Sequence, residues 1–193
     1  MKQVTLMSNI PEIKCTIKKL SHEGRGIAYV NDKITFVENA LPNEEVCIQY
    51  LKQNSKYNDA IATKIIKANK NRIPAKCIYY NNCGGCSLQH MSSDSQLQVK
   101  QQALVEMLSN QSVEPESWLK PITGNPWSYR ARARLHTAYS AVNDKVSIGF
   151  HGKDPNKITN ILSCDVMQLN INAMLPSINT LVNQLSIKQH VKQ

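Results

Sequence analysis

From residue 12 onward, hydrophobic positions alternate with polar ones, the period of a half-buried strand. In "EIKCTIKKL", Ile13, Cys15 and Ile17 fall on one side and charged or polar residues on the other. The turn "SHEGRG" follows, with Gly24 and Gly26. "IAYVNDKITFV" then predicts two short strands around Asn31-Asp32, a hairpin signal. "ALPNEEVCIQYLKQNSKYNDAIATKII" adds a Pro-Asn turn and two more strands, with a turn near Asn54-Ser55. Five short strands within residues 12–66 predict a small closed β-barrel of the OB type. Such barrels remove their sheet edges by closure and often bind oligonucleotides.

The pattern changes after residue 66. "KANKNRIPAK" (67–76) is polar and basic, and predicts a linker. A cysteine-rich loop follows. "SDSQLQVKQQALVEMLSN" predicts a helix, with Ser93 as N-cap and Gln96 completing a capping box. Leu97, Leu104 and Leu108 share one face, with Gln and Lys opposite, as in a plain packing helix. "QSVEPESWLKPITGNPW" holds three prolines and predicts no regular element. Strand period returns in "SYRARARLHTAY", and a turn at Asn143-Asp144 leads to "KVSIGF". A second β-region thus spans 128–162. Beyond Cys164, "DVMQLNINAMLPSINTLVNQL" reads as helical apart from the internal Pro176, and "SIKQHVKQ" is polar. There is no internal repeat or low-complexity tract.

Composition narrows the partners. The chain has 193 residues, 41% hydrophobic and 19% charged, enough for one large or two small soluble domains. Its net charge of +9 and pI near 9.3 point to a polyanion, with RNA or DNA first. A membrane surface is disfavoured because no basic amphipathic helix stands out. No stretch approaches the roughly 18 apolar residues that span a bilayer. "MKQVTLMSNIPEIKC" has no signal-peptide apolar core. The expected compartment is therefore the cytoplasm, where six cysteines argue for metal or catalysis over disulfides.

Three of those cysteines lie within "CIYYNNCGGCSLQH" (77–90). Cys83-Gly84-Gly85-Cys86 is a C-x-x-C chelate, whose spacing lets both sulfurs reach one metal centre across a tight turn. The glycines allow positive φ and close backbone approach, and their N–H groups can point at the sulfurs. Cys77 adds a third thiolate. A redox dithiol is the competing reading. Tetrahedral zinc or a cubane iron–sulfur cluster needs a fourth ligand. His90 would complete a Cys3His zinc finger, and Cys164 lies far downstream; spacing leaves both open. Cys15 and Cys47 fall inside predicted strands and read as small buried hydrophobes.

Candidate RNA contacts lie on both sides of the loop. In "YRARARLHTAY", Arg130, Arg132, Arg134 and His136 share one strand face. Tyr129, Ala131, Ala133, Leu135, Thr137 and Tyr139 share the core-facing side. Arginine forks suit phosphate bidentately; a solvated face or internal ion pairs is the competing reading. The front region adds Lys18, Lys19 and Arg25, and the expected linker adds Lys67, Lys70, Arg72 and Lys76. Tyr29 and Phe36 either stack on bases or fill the barrel core.

Taken together, "C-x5-C-G-G-C-S-L-Q-H" with a lone later cysteine resembles the iron–sulfur loop of the bacterial RNA uracil-5-methyltransferases. "QLQVKQQALVEML", "YRARARL" and "IGFHGKDPNKITNILSCDV" resemble the segments that follow that loop in the family. "IKKLSHEGRGIAYVNDKITFVENALPNEEV" resembles a TRAM domain, the small RNA-binding barrel at the front of these enzymes. The resemblance covers nearly the whole chain. It implies a [4Fe-4S] cluster held by Cys77, Cys83, Cys86 and Cys164, with His90 beside it or structural. It implies S-adenosylmethionine-dependent methylation of uracil C5, in 23S rRNA first and tRNA second.

The expected organisation is mainly β with some α. A TRAM-like barrel (1–66) and a linker (67–76) would precede an α+β iron–sulfur and RNA-binding domain (77–193), incomplete at its C-terminal end. No G-x-G-x-x-G-like loop after a strand and no βα alternation appear, so the family's Rossmann-like methyltransferase domain is expected to be absent. With every cysteine assigned, no catalytic nucleophile remains, and the chain alone is expected to be inactive. A monomer that binds RNA but neither DNA nor membrane is expected. The competing readings are a stand-alone RNA-binding or iron–sulfur module and a zinc-finger RNA-binding protein.

Overall fold

A computed structural model describes residues 12–190. The reading of the first residues as lacking a signal segment, like the start of the expected first domain, falls on 1–11 and lies outside the described residues. The chain divides into two compact units. The first is Met1–Ile73 with His90–Glu114, and the second is Pro74–Gln89 with Pro115–Gln193. Among the described residues no helix is long and apolar enough to cross a membrane.

The first unit is a six-stranded sheet in the order β1-β5-β6-β4-β3-β2. Its strands are β1 (Ile13–Thr16), β2 (Lys19–Leu20), β3 (Gly26–Val30), β4 (Lys33–Glu38), β5 (Glu45–Gln53) and β6 (Tyr57–Lys67). Asn31 (φ 51°) and Asp32 (φ 60°) both sit in the left-handed region, as the tight β3–β4 hairpin requires. Asn43 (φ 62°) does the same in the Pro-Asn turn before β5. β3 pairs antiparallel with β4, and β4 pairs parallel with β6. Ile17, Ala28, Val37, Val46 and Ala60 are fully buried and form the core with Val30, Ile48 and Ala62.

The expected five-stranded closed barrel is corrected on two points. The first segment is two strands, because the Ile17 N–H donates to the Glu44 carbonyl (2.9 Å) and the Lys18 N–H to the Ile27 carbonyl (2.8 Å). The chain thereby leaves β5 on one edge and joins β3 on the other. No ladder joins β1 to β2, so the sheet is not a closed barrel.

The expected linker is tied to this unit. Lys67 ends β6. The Asn69 N–H donates to Glu44 Oε1 (3.0 Å), and Arg72 grips the same fully buried carboxylate through Nε (2.6 Å) and Nη2 (2.7 Å). Helix α1 (Ser93–Asn110) starts on the residue expected to cap it, so the N-cap is Ser92, one residue earlier, with no side-chain capping bond. Gln96 Nε2 instead donates to the Met91 carbonyl (2.9 Å). Leu104 is exposed, because the helix turns Ser95 inward and sets Ala103 and Glu106 beside β2.

The second unit has a three-stranded antiparallel sheet of β7 (His136–Ser140), β8 (Lys145–His151) and β9 (Ile158–Asn160). Helix α2 (Leu169–Gln184) runs through Pro176, and a 3₁₀ turn follows at Lys188–His190. β9 covers only Gly149–His151 of β8. Side-chain amides extend that edge: Asn160 Oδ1 accepts the Ile148 N–H, and the Asn183 carboxamide bonds both backbone groups of Val146. The expected strand over 129–135 does not form. Arg130 makes a lone parallel bridge with Met167, and the ladder to β8 begins at His136, opposite Gly149.

Candidate cysteine site and nucleic-acid surface

The cysteine loop is a string of tight turns. The Tyr80 N–H donates to the Cys77 carbonyl (3.0 Å), and the Cys83 N–H to the Tyr79 carbonyl (2.7 Å). The Tyr80 hydroxyl donates to the Ser87 carbonyl (2.7 Å) and the Cys77 N–H to Gln89 Oε1 (3.0 Å), closing the loop on itself. It docks on the β8–β9 turn through Gly84 N–H to the His151 carbonyl (2.9 Å) and Lys153 N–H to the Asn82 carbonyl (2.9 Å). A Cβ on Gly84 would lie 2.9 Å from the Gly152 carbonyl oxygen, so this approach needs glycine.

Cys164 reaches the loop from the other end of the unit. Its N–H donates to Asn172 Oδ1 (2.6 Å), and the Leu162 N–H donates to the Tyr79 hydroxyl (3.1 Å). Cys164 also packs against the Ile161, Met167 and Leu175 cluster. Cys77, Cys83, Cys86 and Cys164 therefore line one cavity of about 20 Å³, with Tyr79, Arg130 and Phe150. Burial pushes the Cys77 thiol up, and the nearby Asp165, Cys164 and Cys86 add to it against a lowering backbone bond from Tyr79. Burial also pushes Cys83 up, with Cys86 and Cys164 raising it further while the Gly85 N–H (3.4 Å) and Arg130 pull it down.

All six cysteines are free thiols. Among the described residues no group of three or more His, Cys, Asp or Glu is arranged to hold a metal ion. His90 is buried and does not line the cysteine cavity. Cys47 is buried and Cys15 partly so, and burial raises both thiols.

The basic residues divide sharply. Arg130 lines the cysteine cavity, its guanidinium 5.8 Å from the Phe150 ring centroid, whereas Arg132 and Arg134 are exposed. Ala131 and Ala133 are exposed too, so the expected two-faced strand is absent here. His136 is half-buried, its ring centroid 4.2 Å from that of His151. Lys18 is exposed, but Lys19 pairs with Glu106 (3.1 Å). Arg25 pairs with Glu23 (2.6 Å) and Asp59 (2.8 Å) and lies over Phe36. Arg72 is committed to Glu44, and Lys76 pairs with Asp165 while sitting over Trp127. Lys67 and Lys70 are exposed. Tyr29 and Phe36 lie on the outer face of the sheet, not in its core.

Sequence reasoning missed the Glu44–Arg72 pair and the turn of Arg130 toward sulfur. Buried Glu44 carried no sequence signal. Arg130 carried one in hindsight, since it opens the arginine run nearest the proline-rich segment.

Residues 12–63 match the TRAM domain. The chain is 41% identical over 181 residues to the protein of Vesicomyosocius okutanii named 23S rRNA (uracil(1939)-C(5))-methyltransferase RlmD, covering 93% of this chain and 41% of that protein. It is 35% identical over 195 residues to the Legionella pneumophila (strain Lens) protein of the same name, covering all of this chain and 44% of that one. The chain thus spans under half the length of these relatives. Among solved structures, the Pyrococcus abyssi tRNA (uracil-54, C5)-methyltransferase in complex with S-adenosyl-L-homocysteine shares the fold. The TM-score is 0.61 and the identity 23%, over 89% of this chain and 37% of that one.

Proposed function

We infer that this chain, which matches the TRAM domain and is similar along nearly its whole length to proteins named 23S rRNA uracil-C5 methyltransferases, belongs with the RNA uracil-5-methyltransferases. From that premise we propose that it is the RNA-recognition and [4Fe-4S]-binding part of an S-adenosylmethionine-dependent 23S rRNA uracil-C5 methyltransferase. The observation that carries the reading is the convergence of four thiols, three from the 77–86 loop and one from residue 164, on a single cavity.

Cys77, Cys83, Cys86 and Cys164 would hold the cluster. Bound there, it supplies covalent iron–sulfur ties between two segments far apart in sequence. A zinc ion is the competing occupant. Zn–S distances of about 2.3 Å would draw four thiolates to within about 3.8 Å of one another. A cubane spreads its thiolates further, because each binds a different iron. The cavity as it stands holds about one water, so a cluster would need more room than the thiols now enclose.

The RNA contacts in this reading are Arg132, Arg134, His136 and Lys18, with Lys19 and Arg25 reaching RNA only by giving up carboxylate partners. The functional parts are the TRAM sheet up to residue 66 and the central region 77–193. We place the chain in the cytoplasm as a monomer. It supplies no cysteine nucleophile, since four thiols face the cavity and Cys15 and Cys47 sit in the sheet with raised pKa values. RNA binding without methyl transfer is the expected behaviour of this chain alone.

The test is anaerobic purification with iron and sulfide analysis and visible absorption. The unaltered chain should be brown, Cys164→Ser should lose iron, and His90→Ala should keep it. A colourless chain that binds zinc and loses it with His90→Ala would overturn the cluster reading, because Zn²⁺ is d¹⁰.

A further inference from the structure

The outer face of the first unit's sheet presents two tyrosines at its surface. Tyr29 on β3 is 59% exposed and Tyr57 on β6 is 40% exposed. Strand register places them in one row: Tyr29 lies opposite Ile34 on β4, and Ile34 lies opposite Tyr57. The next row is Ile27, Phe36 and Asp59. Their neighbours in sequence, Ala28, Val30, Thr35, Val37, Asn58 and Ala60, are buried on the opposite face. The alternation is thus complete over three strands, and the aromatic face is the one turned to solvent.

An aromatic row on a sheet face has a cost in exposed apolar area and calls for an occupant. The surroundings select a nucleic acid. Lys52, near the end of β5, lies opposite Asp59 in the neighbouring row, and Lys56 precedes Tyr57; both are exposed. Cations around aromatic rings suit single-stranded nucleic acid, whose bases stack while its phosphates meet the rim. An apolar protein partner gains nothing from that rim.

The face is also pre-organised. Arg25 stacks on Phe36 at 4.5 Å, and Asp59 fixes its guanidinium (2.8 Å). Phe36 in turn meets Tyr57 edge-on, with centroids 5.6 Å apart and planes at 77°. Phe36 is therefore occupied as a support, and Tyr57 is held in orientation. The rings available for stacking are Tyr29 and Tyr57. They stand two strand spacings apart, about 10 Å, with Ile34 between them, which is room for a base on each.

We propose that Tyr29 and Tyr57 form a base-stacking platform for a single-stranded RNA segment. This rests on the RNA-binding reading above and adds the surface that reading lacked. Sequence tolerance follows, because every base has a π-face.

The test uses the full purified chain and a fluorescein-labelled, pyrimidine-rich oligoribonucleotide of about 12 nucleotides. Tyr29→Ala and Tyr57→Ala should each weaken binding about tenfold with the salt slope unchanged, since no phosphate contact is lost. Tyr29→Phe and Tyr57→Phe should keep the affinity, because stacking needs the ring and not the hydroxyl. Binding by the double alanine variant within about twofold of the unaltered chain would overturn the platform and leave the wider reading standing. Failure of the unaltered chain to bind the oligonucleotide would overturn both. A fall in thermal stability of the double variant with unchanged affinity would assign the face to protein packing and overturn the platform.

Discussion

The two units reach stability by different means. The first buries one contiguous apolar cluster of nine residues between its strands. In the second, the corresponding cluster is Ile161, Met167 and Leu175, with partly buried Tyr79, Leu135, Phe150 and Cys164 around it. Full burial of a large apolar side chain contributes roughly 1.5–3 kcal/mol. The first unit can therefore stand on its core, whereas the second splits its buried apolar residues, with Tyr80, Val146, Ile148 and Val166 outside that cluster, and has a three-stranded sheet whose edge is finished by asparagine side chains. Small scaffolds with thin cores need a staple. The four-cysteine cavity lies against that core, and in the proposed reading a cluster there would tie residue 164 to the 77–86 loop.

The contrast breaks most visibly if the cluster is stripped. Removing iron from the reconstituted chain with a chelator should abolish amide-exchange protection in β8 and β9. Protection in β3 to β6 should persist, because local stability follows buried apolar contact. Equal loss in both sheets, or none in either, would mean the units do not differ in this way.

A second change tests the first unit's self-sufficiency. Glu44 is fully buried, and its acceptors are filled by Arg72, Asn69 N–H and Leu41 N–H (2.8 Å). Glu44→Ala leaves Arg72 without its carboxylate and should cost about 3–5 kcal/mol, read by denaturant unfolding of the β3–β6 sheet. Burial alone would raise the Glu44 pKa, but the bonds from Arg72, Asn69 and Leu41 outweigh it and hold the carboxyl below its ordinary 4.5. A depressed carboxyl gives stability that is present above the unfolded-state pKa and lost as pH falls through the folded one. The stability of the unaltered chain should thus fall as pH drops below about 4.5, and that fall should be smaller in Glu44→Ala, which has no carboxyl there to protonate.

The same contrast explains what could be read from sequence. Turns set by local chemistry were legible: Asn31-Asp32 and Asn43 adopt the positive φ that their residue types tolerate. Helix α1 was legible to within one residue, because its period is local. Pairings across long separations were not. Arg25 looked like a free cation between two glycines, but its partner Asp59 is 34 residues away. Lys19 finds Glu106 at a separation of 87. The arginine run had strand period, yet residues 129–135 join no ladder, because β8 offers register only from Gly149 toward Lys145. Periodicity reports which residues could share a face; the partner strand decides whether the face exists.

The smallest expected effect sharpens the difference between Arg130 and its neighbours. A [4Fe-4S]²⁺ core with four thiolates carries two net negative charges, and one-electron reduction adds a third. Arg130 lines the cavity, so in the proposed site its charge would favour the more negative state. Arg130→Gln should make the midpoint potential more negative by about 60 mV, a tenfold change for one electron. Arg132→Gln removes the same charge from an exposed position, where solvent screens it, and should move the potential far less. RNA affinity should reverse the order, because phosphate contacts follow exposure: Arg132→Gln should reduce the salt slope by about one, while Arg130→Gln leaves it unchanged. Equal potentials in both variants would return Arg130 to the RNA surface, and equal salt slopes would remove Arg132 from it.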